Sequence, residues 1–110
     1  MFKLNDNDDS QFNLLREIEK KPNSTQRELA KELNFSLGKL NYCLKALKSK
    51  GYIKLRNFYN NEKKLNYIHV LTPKGISKKL DLTVKFMERK MREYDELKKD
   101  LENSKKNILR

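Results

Sequence analysis

The chain has 110 residues, room for one domain and one added element. Charged residues are 37% and hydrophobic residues 36%, with a formal net charge of +11 and a mean hydropathy of −0.97. No stretch approaches the ~20 apolar residues that cross a bilayer, so no membrane partner is expected. One Cys, one His and no Trp leave no disulfide, no evident metal set and little for catalysis, so neither an enzyme nor a cofactor is expected.

Residues 1–9 carry Asp6, Asp8 and Asp9 and no apolar run, which excludes a secretory signal. The three aspartates resemble the start of a calcium loop. The Gly and bidentate Glu that such a loop needs are missing, so the segment reads as a disordered acidic leader. From Ser10 to Lys21, Phe12, Leu14, Leu15 and Ile18 recur at helical spacing. This predicts a first helix, closed by Pro22-Asn23.

Thr25-Gln26-Arg27-Glu28 is a capping box opening a short second helix with Leu29, Ala30 and Leu33 inward. Asn34 is placed to end it in the left-handed region. Ser36 then caps a third helix. Its expected buried stripe is Leu37, Leu40, Leu44 and Leu47, with Cys43 at the edge. The opposite side carries Gly38, Tyr42, Lys45 and Ser49, flanked by Lys39 and Asn41. Gly51 terminates the helix.

Tyr52 to Arg56 alternates, and Leu65 to Leu71 is rich in β-formers. The polar segment Asn57 to Lys64 between them, with Asn60-Asn61, predicts a hairpin with a medium loop. Thr72-Pro73 restarts a helix, since proline at the first helical position loses no hydrogen bond. No Pro or Gly follows Gly75, so this helix is expected to reach Asn107.

The last helix repeats at seven residues: Leu80, Met87, Tyr94, Leu101 and Ile108. Val84, Met91, Lys98 and Lys105 hold the companion positions. Charges surround the seam, among them Lys85, Glu88, Arg89, Lys90, Arg92, Glu93, Asp95 and Glu96. A lone helix cannot bury such a stripe. Heptad spacing predicts a homodimer through Leu80, Val84, Met87, Met91, Tyr94, Leu101 and Ile108. Lys98 and Lys105 mark either fraying or register.

The positive charge is concentrated in the middle. Residues 1–23 have a net charge of −1, residues 24–75 of +8 and residues 76–110 of +4. Such a surface draws a polyanion, most simply nucleic acid. The expected fold is mainly α with a small β-hairpin: a winged helix-turn-helix over residues 10–75, then a long dimerisation helix over 76–110. A third helix of this kind fits a major groove ~12 Å wide. Lys39, Lys45 and Lys48 would meet phosphates, Asn41 an adenine edge, and Ser36, Gly38 and Tyr42 the groove. Ser24, Thr25, Gln26 and Arg27 would set the start of the second helix on the backbone. Arg56, Asn57, Asn60, Asn61, Lys63 and Lys64 would take the hairpin to the adjacent minor groove. Exposure of Tyr42 and Lys45 is the condition this reading has to meet.

Ser24 to Lys54, "STQRELAKELNFSLGKLNYCLKALKSKGYIK", resembles the core of winged-helix regulators of the MarR type. "LTPKG", Leu71 to Gly75, resembles the end of their wing and the start of the next helix. With "RNFYNNEKKLNYIHVLTPKGI" and "KFMERKMREYDELKKDL", the chain is similar to small MarR-family regulators associated with exopolysaccharide gene clusters. The resemblance implies a bacterial, cytoplasmic, dimeric transcription regulator. Ser36 to Lys48 would be its recognition helix and Arg56 to Lys64 its wing. Larger members dimerise through helices at both termini and often hold small phenolic effectors. This chain shows a short leader and one long C-terminal helix instead.

Two other readings stay open at the level of sequence. A winged helix can serve as a protein-interaction adaptor with an incidental basic face. RNA binding is weaker, since no strand presents base-stacking aromatics in the usual pattern. His69 reads as a structural or surface residue, and Cys43 as a buried small hydrophobe with a redox role as the sharper alternative.

Overall fold

The computed structural model describes residues 6–59 and 65–109. The elements run α1 (Asp6–Lys20), α2 (Gln26–Leu33), α3 (Leu37–Ser49), β1 (Ile53–Tyr59), β2 (Leu65–Leu71) and α4 (Pro73–Ile108). The strands form one antiparallel pair, with Ile53 opposite Leu71 and Asn57 opposite Tyr67. The arrangement is a winged helix-turn-helix whose last helix continues as a rod. The principal extents are 72 × 25 × 24 Å.

The caps explain the helix starts. The Thr25 hydroxyl accepts from the Glu28 N–H at 3.1 Å, and the Ser36 hydroxyl accepts from the Lys39 N–H at 3.0 Å. Each satisfies a donor that the first turn leaves without an intrahelical partner. Asn34 ends α2 in the left-handed region at φ 57°, and Gly51 follows α3 at φ 76°, a conformation that glycine adopts without a Cβ clash.

One core gathers these elements. Phe12, Leu14, Leu15 and Ile18 come from α1, Leu29 and Ala30 from α2, and Leu40, Cys43, Leu44 and Leu47 from α3. Ile53 of β1 and Leu82 of α4 complete it. Helices α1 and α4 run antiparallel, with Asp9 at Arg89 and Glu19 at Lys79. The Phe12 and Phe86 rings lie 5.1 Å apart between them.

The head is joined to the rod without slack. The Thr72 N–H donates to the Tyr52 carbonyl at 3.0 Å. The Thr72 hydroxyl donates to the Gly51 carbonyl at 2.5 Å and accepts from the Gly75 N–H at 3.0 Å. Gly75 is buried, and a Cβ there would run into the Tyr52 carbonyl oxygen.

Four expectations are corrected. Helix α1 begins at Asp6, so Asp6 to Asp9 are helical rather than part of a disordered leader. Asp9 is held there by Arg89, whose Nη1 lies 3.2 Å from both carboxylate oxygens. The strands extend to Tyr59 and from Leu65, so Asn57 belongs to β1 and not to the loop. Leu37 is 46% exposed, because the first turn of α3 lies beyond the helices its later leucines pack on. Finally, Leu82 and Phe86 are packed into the head's core, so a boundary at residue 75 does not separate two cores.

Candidate nucleic-acid interface

Helix α3 is divided cleanly. Leu40, Cys43, Leu44 and Leu47 are buried. Gly38, Lys39, Asn41, Tyr42, Lys45, Lys48 and Ser49 are exposed, with Tyr42 at 73%. The condition set by the sequence on Tyr42 and Lys45 is therefore met. The buried side fixes the helix, and the outer side offers cations, an amide and a phenol along about 20 Å.

Some of these groups also have structural work. The Thr25 and Ser36 oxygens hold caps, so each offers a neighbouring anion its hydroxyl hydrogen rather than an idle oxygen. The Lys39 ammonium lies 4.2 Å from the centre of the Phe35 ring, which positions a cation over the turn between α2 and α3. Around the start of α2, Thr25, Gln26 and Arg27 are exposed and Ser24 is half-buried.

Arg56 and Asn57 are exposed on β1. Asn60, Asn61, Lys63 and Lys64 lie outside the described residues. Lys48 links helix and hairpin electrostatically. The His69 imidazole on β2 is pushed below its ordinary range first by burial and then by the Lys48 cation. His69 therefore favours its neutral form, and its Nε2 is buried with no partner among the described residues. Burial pushes the Cys43 thiol up, and the Lys39 cation opposes this only in part. That environment favours the thiol over the reactive thiolate, as for a core residue.

The residue pattern did not single out two exposed groups of this surface. Leu37 stands at the start of α3 beside Gly38, where an apolar contact with a thymine methyl is sterically natural. Tyr67 is exposed across the ladder from Asn57. Strand alternation could have found Tyr67, whereas Leu37 carries the same periodic signal as a core leucine.

On α4, Leu80, Val84, Met87, Met91, Tyr94, Leu101 and Ile108 are all exposed. So are Ile76 and Leu97, which extend the stripe at helical spacing from Leu80 and Tyr94. The rod's buried side is a different one, formed by Leu82, Phe86 and Arg89.

Residues 7–54 match a family model described as winged helix-turn-helix DNA-binding. Solved structures extend the likeness to nearly the whole chain. Staphylococcus aureus MarR in complex with salicylate and kanamycin superposes with a TM-score of 0.61 at 21% identity, covering 79% of this chain and 57% of that one. MepR, a transcription regulator of the S. aureus multidrug efflux pump MepA, gives 0.61 at 19% identity, covering 97% and 76%.

The fold is that of the MarR regulators.

Streptococcus pneumoniae FabT in complex with DNA gives a TM-score of 0.55 at 24% identity, covering 79% of this chain and 59% of that one. The chain thus spans little more than half the length of MarR and FabT. No curated protein sequence matches it. No helix among the described residues is long and apolar enough to cross a membrane.

Proposed function

We propose that the chain is a sequence-specific, double-stranded DNA-binding transcription regulator of bacterial cytoplasm that works as a homodimer. Helix α3 enters the major groove, the start of α2 sits on the backbone, and the hairpin reaches the adjacent minor groove. Lys39, Lys45 and Lys48 meet phosphates and give affinity, while Asn41 reads a base edge and gives preference. Repression by occluding polymerase is the simplest consequence of such binding. The sequence resemblance nominates exopolysaccharide genes as the regulated set. The 10–75 segment with the first turns of α4 acts as the reading head, and the rest of α4 as the dimerisation element.

The carrying observation is the division of α3, with four side chains locked in the core and a continuous outer face of cations, amide and phenol. That MarR-fold neighbours include a DNA complex supports the same reading.

Selection of bound fragments from random duplexes should return a pseudo-palindrome with half-sites ~34 Å apart. Binding measured by anisotropy should weaken steeply with salt. Lys45→Ala should lower affinity on every duplex and reduce the log–log salt slope by about 0.9, the loss of one phosphate contact. Asn41→Ala should relax preference at one base pair, by ~1–3 kcal/mol. If neither substitution changes binding, α3 is not the recognition helix, and weak, sequence-blind binding would favour the adaptor reading.

A further inference from the structure

Two copies of a helix with an exposed seven-residue stripe can pair in either direction, and the hydrophobic residues alone do not choose. The charges beside the stripe on α4 do. Following the repeat, the column next to Val84, Met91, Lys98 and Lys105 is Asp81, Glu88, Asp95 and Glu102, all acidic. The seam itself turns from apolar to cationic at Lys98. A parallel pair would stack Lys98 on its own copy and Lys105 on its own copy, with Leu97 and Ser104 as the flanking neighbours across the seam. No acidic group stands across from either lysine in that arrangement.

We infer that two copies of α4 pair antiparallel with Val84 opposite Leu101 and Met91 opposite Tyr94, a register set by Lys98 and Lys105 through Glu88 and Asp81 of the second copy. This rests on the self-association read above and adds its direction and register. In it Lys98 lies across from Met87 and Lys105 across from Leu80. Each lysine stem then covers apolar surface while its ammonium reaches the acidic column of the other helix, which antiparallel packing brings to the same flank. Glu88 is one residue from level with Lys98, and Asp81 one residue from level with Lys105.

Two features of the fold agree with this register. Leu82 anchors the rod in the head's core, and Leu82 of one copy lies level with Asn103 of the other. At ~1.5 Å per residue the two anchors sit about 32 Å apart, close to the ~34 Å between successive major grooves. Shifting the register by one heptad in either direction moves that spacing by about 10 Å. At the far end, Ile108 and Leu109, both strongly exposed, come level with Ser77 and Ile76. There they meet the groove lined by Ile18, Pro22, Val70, Leu71 and Ile76.

The test uses the full chain with Cys43→Ser, carrying Val84→Cys, Leu101→Cys or both, oxidised and run on a non-reducing gel beside light scattering. Both new positions are exposed, so the head is undisturbed. Cross-linked dimer is expected from the double variant and from a mixture of the two single variants, and not from either single variant alone. Cross-linking of Leu101→Cys with itself would overturn the antiparallel pairing. A dimer by light scattering without any cross-link would overturn the register. A monomer by light scattering would sink the self-association reading itself, a distinct result.

In a second arm, Lys98→Glu and Glu88→Lys should each raise the dimer dissociation constant about tenfold. Their combination should recover most of that loss, because the pair is restored with its signs exchanged. Absence of recovery would overturn the role given to Lys98.

Discussion

The two halves of α4 carry the same apolar repeat and live in different surroundings. From Pro73 to Glu93 the helix lies on α1, with Leu82 fully buried, Phe86 against Phe12 and Arg89 on Asp9. From Tyr94 to Leu109 every residue is exposed. In the packed half the stripe still faces away from the head, so it is surplus to the core. The distal half needs another source of order. Asp81 and Lys85, Glu88 and Arg92, Asp95 and Lys99, and Glu102 and Lys106 are each four apart with the acid first, the favoured arrangement on a helix. Packing holds one half, and local charge order supports the other until a partner covers it.

The largest expected effect tests the packed half. Leu82→Ala should lower the unfolding free energy by ~2–5 kcal/mol in denaturant, since it empties a filled site. Leu101→Ala should leave the head's unfolding unchanged at concentrations where the chain is monomeric, and weaken only self-association. Equal effects on the head would erase the contrast. Next, Gly75→Ala should destabilise by ~1–3 kcal/mol, because its new methyl meets the backbone of Tyr52. A neutral result would show that the junction yields.

A pH effect should appear in the head alone. Folding holds the His69 pKa below its unfolded value, so the stability tied to neutral His69 is present above the unfolded pKa of ~6.5 and declines as pH falls through it. Unfolding curves between pH 7.5 and 5 should therefore show a loss that His69→Gln reduces. Amide exchange in residues 95–108 should not follow that titration. The smallest effect lies in the bare half: Glu102→Lys should speed exchange of the last turns, consistent with ~0.2–0.5 kcal/mol for a lost helical pair.

Much of this architecture was legible from local chemistry. Thr25, Ser36 and Thr72-Pro73 announce three helix starts, and Asn34 and Gly51 mark two ends, because caps are decided by neighbours in sequence. What stayed hidden depends on distant partners. The extension of α1 to Asp6 is accompanied by a contact with Arg89, eighty residues away. Leu37 carries a core leucine's spacing but has nothing above it to be buried by. The side of α4 that faces α1 shows no heptad signal, since Leu82 and Phe86 answer to the shape of the head. The outward face of α3 could be read directly, because its buried leucines settle where every other side chain must point.

The junction at Thr72 and Gly75 has a consequence for how the protein would measure DNA. With Tyr52, Gly51 and Thr72 bonded across the corner, head and rod turn together as one bent lever. Coupled through a rigid bar, two such levers form a caliper whose jaws cannot swivel independently. Inserting a single base pair between half-sites rotates one jaw's target by about 34°, a torsion the corner has no free bond to absorb. Tolerance to spacer length is thus written into a three-residue bend rather than into the surface that touches the bases.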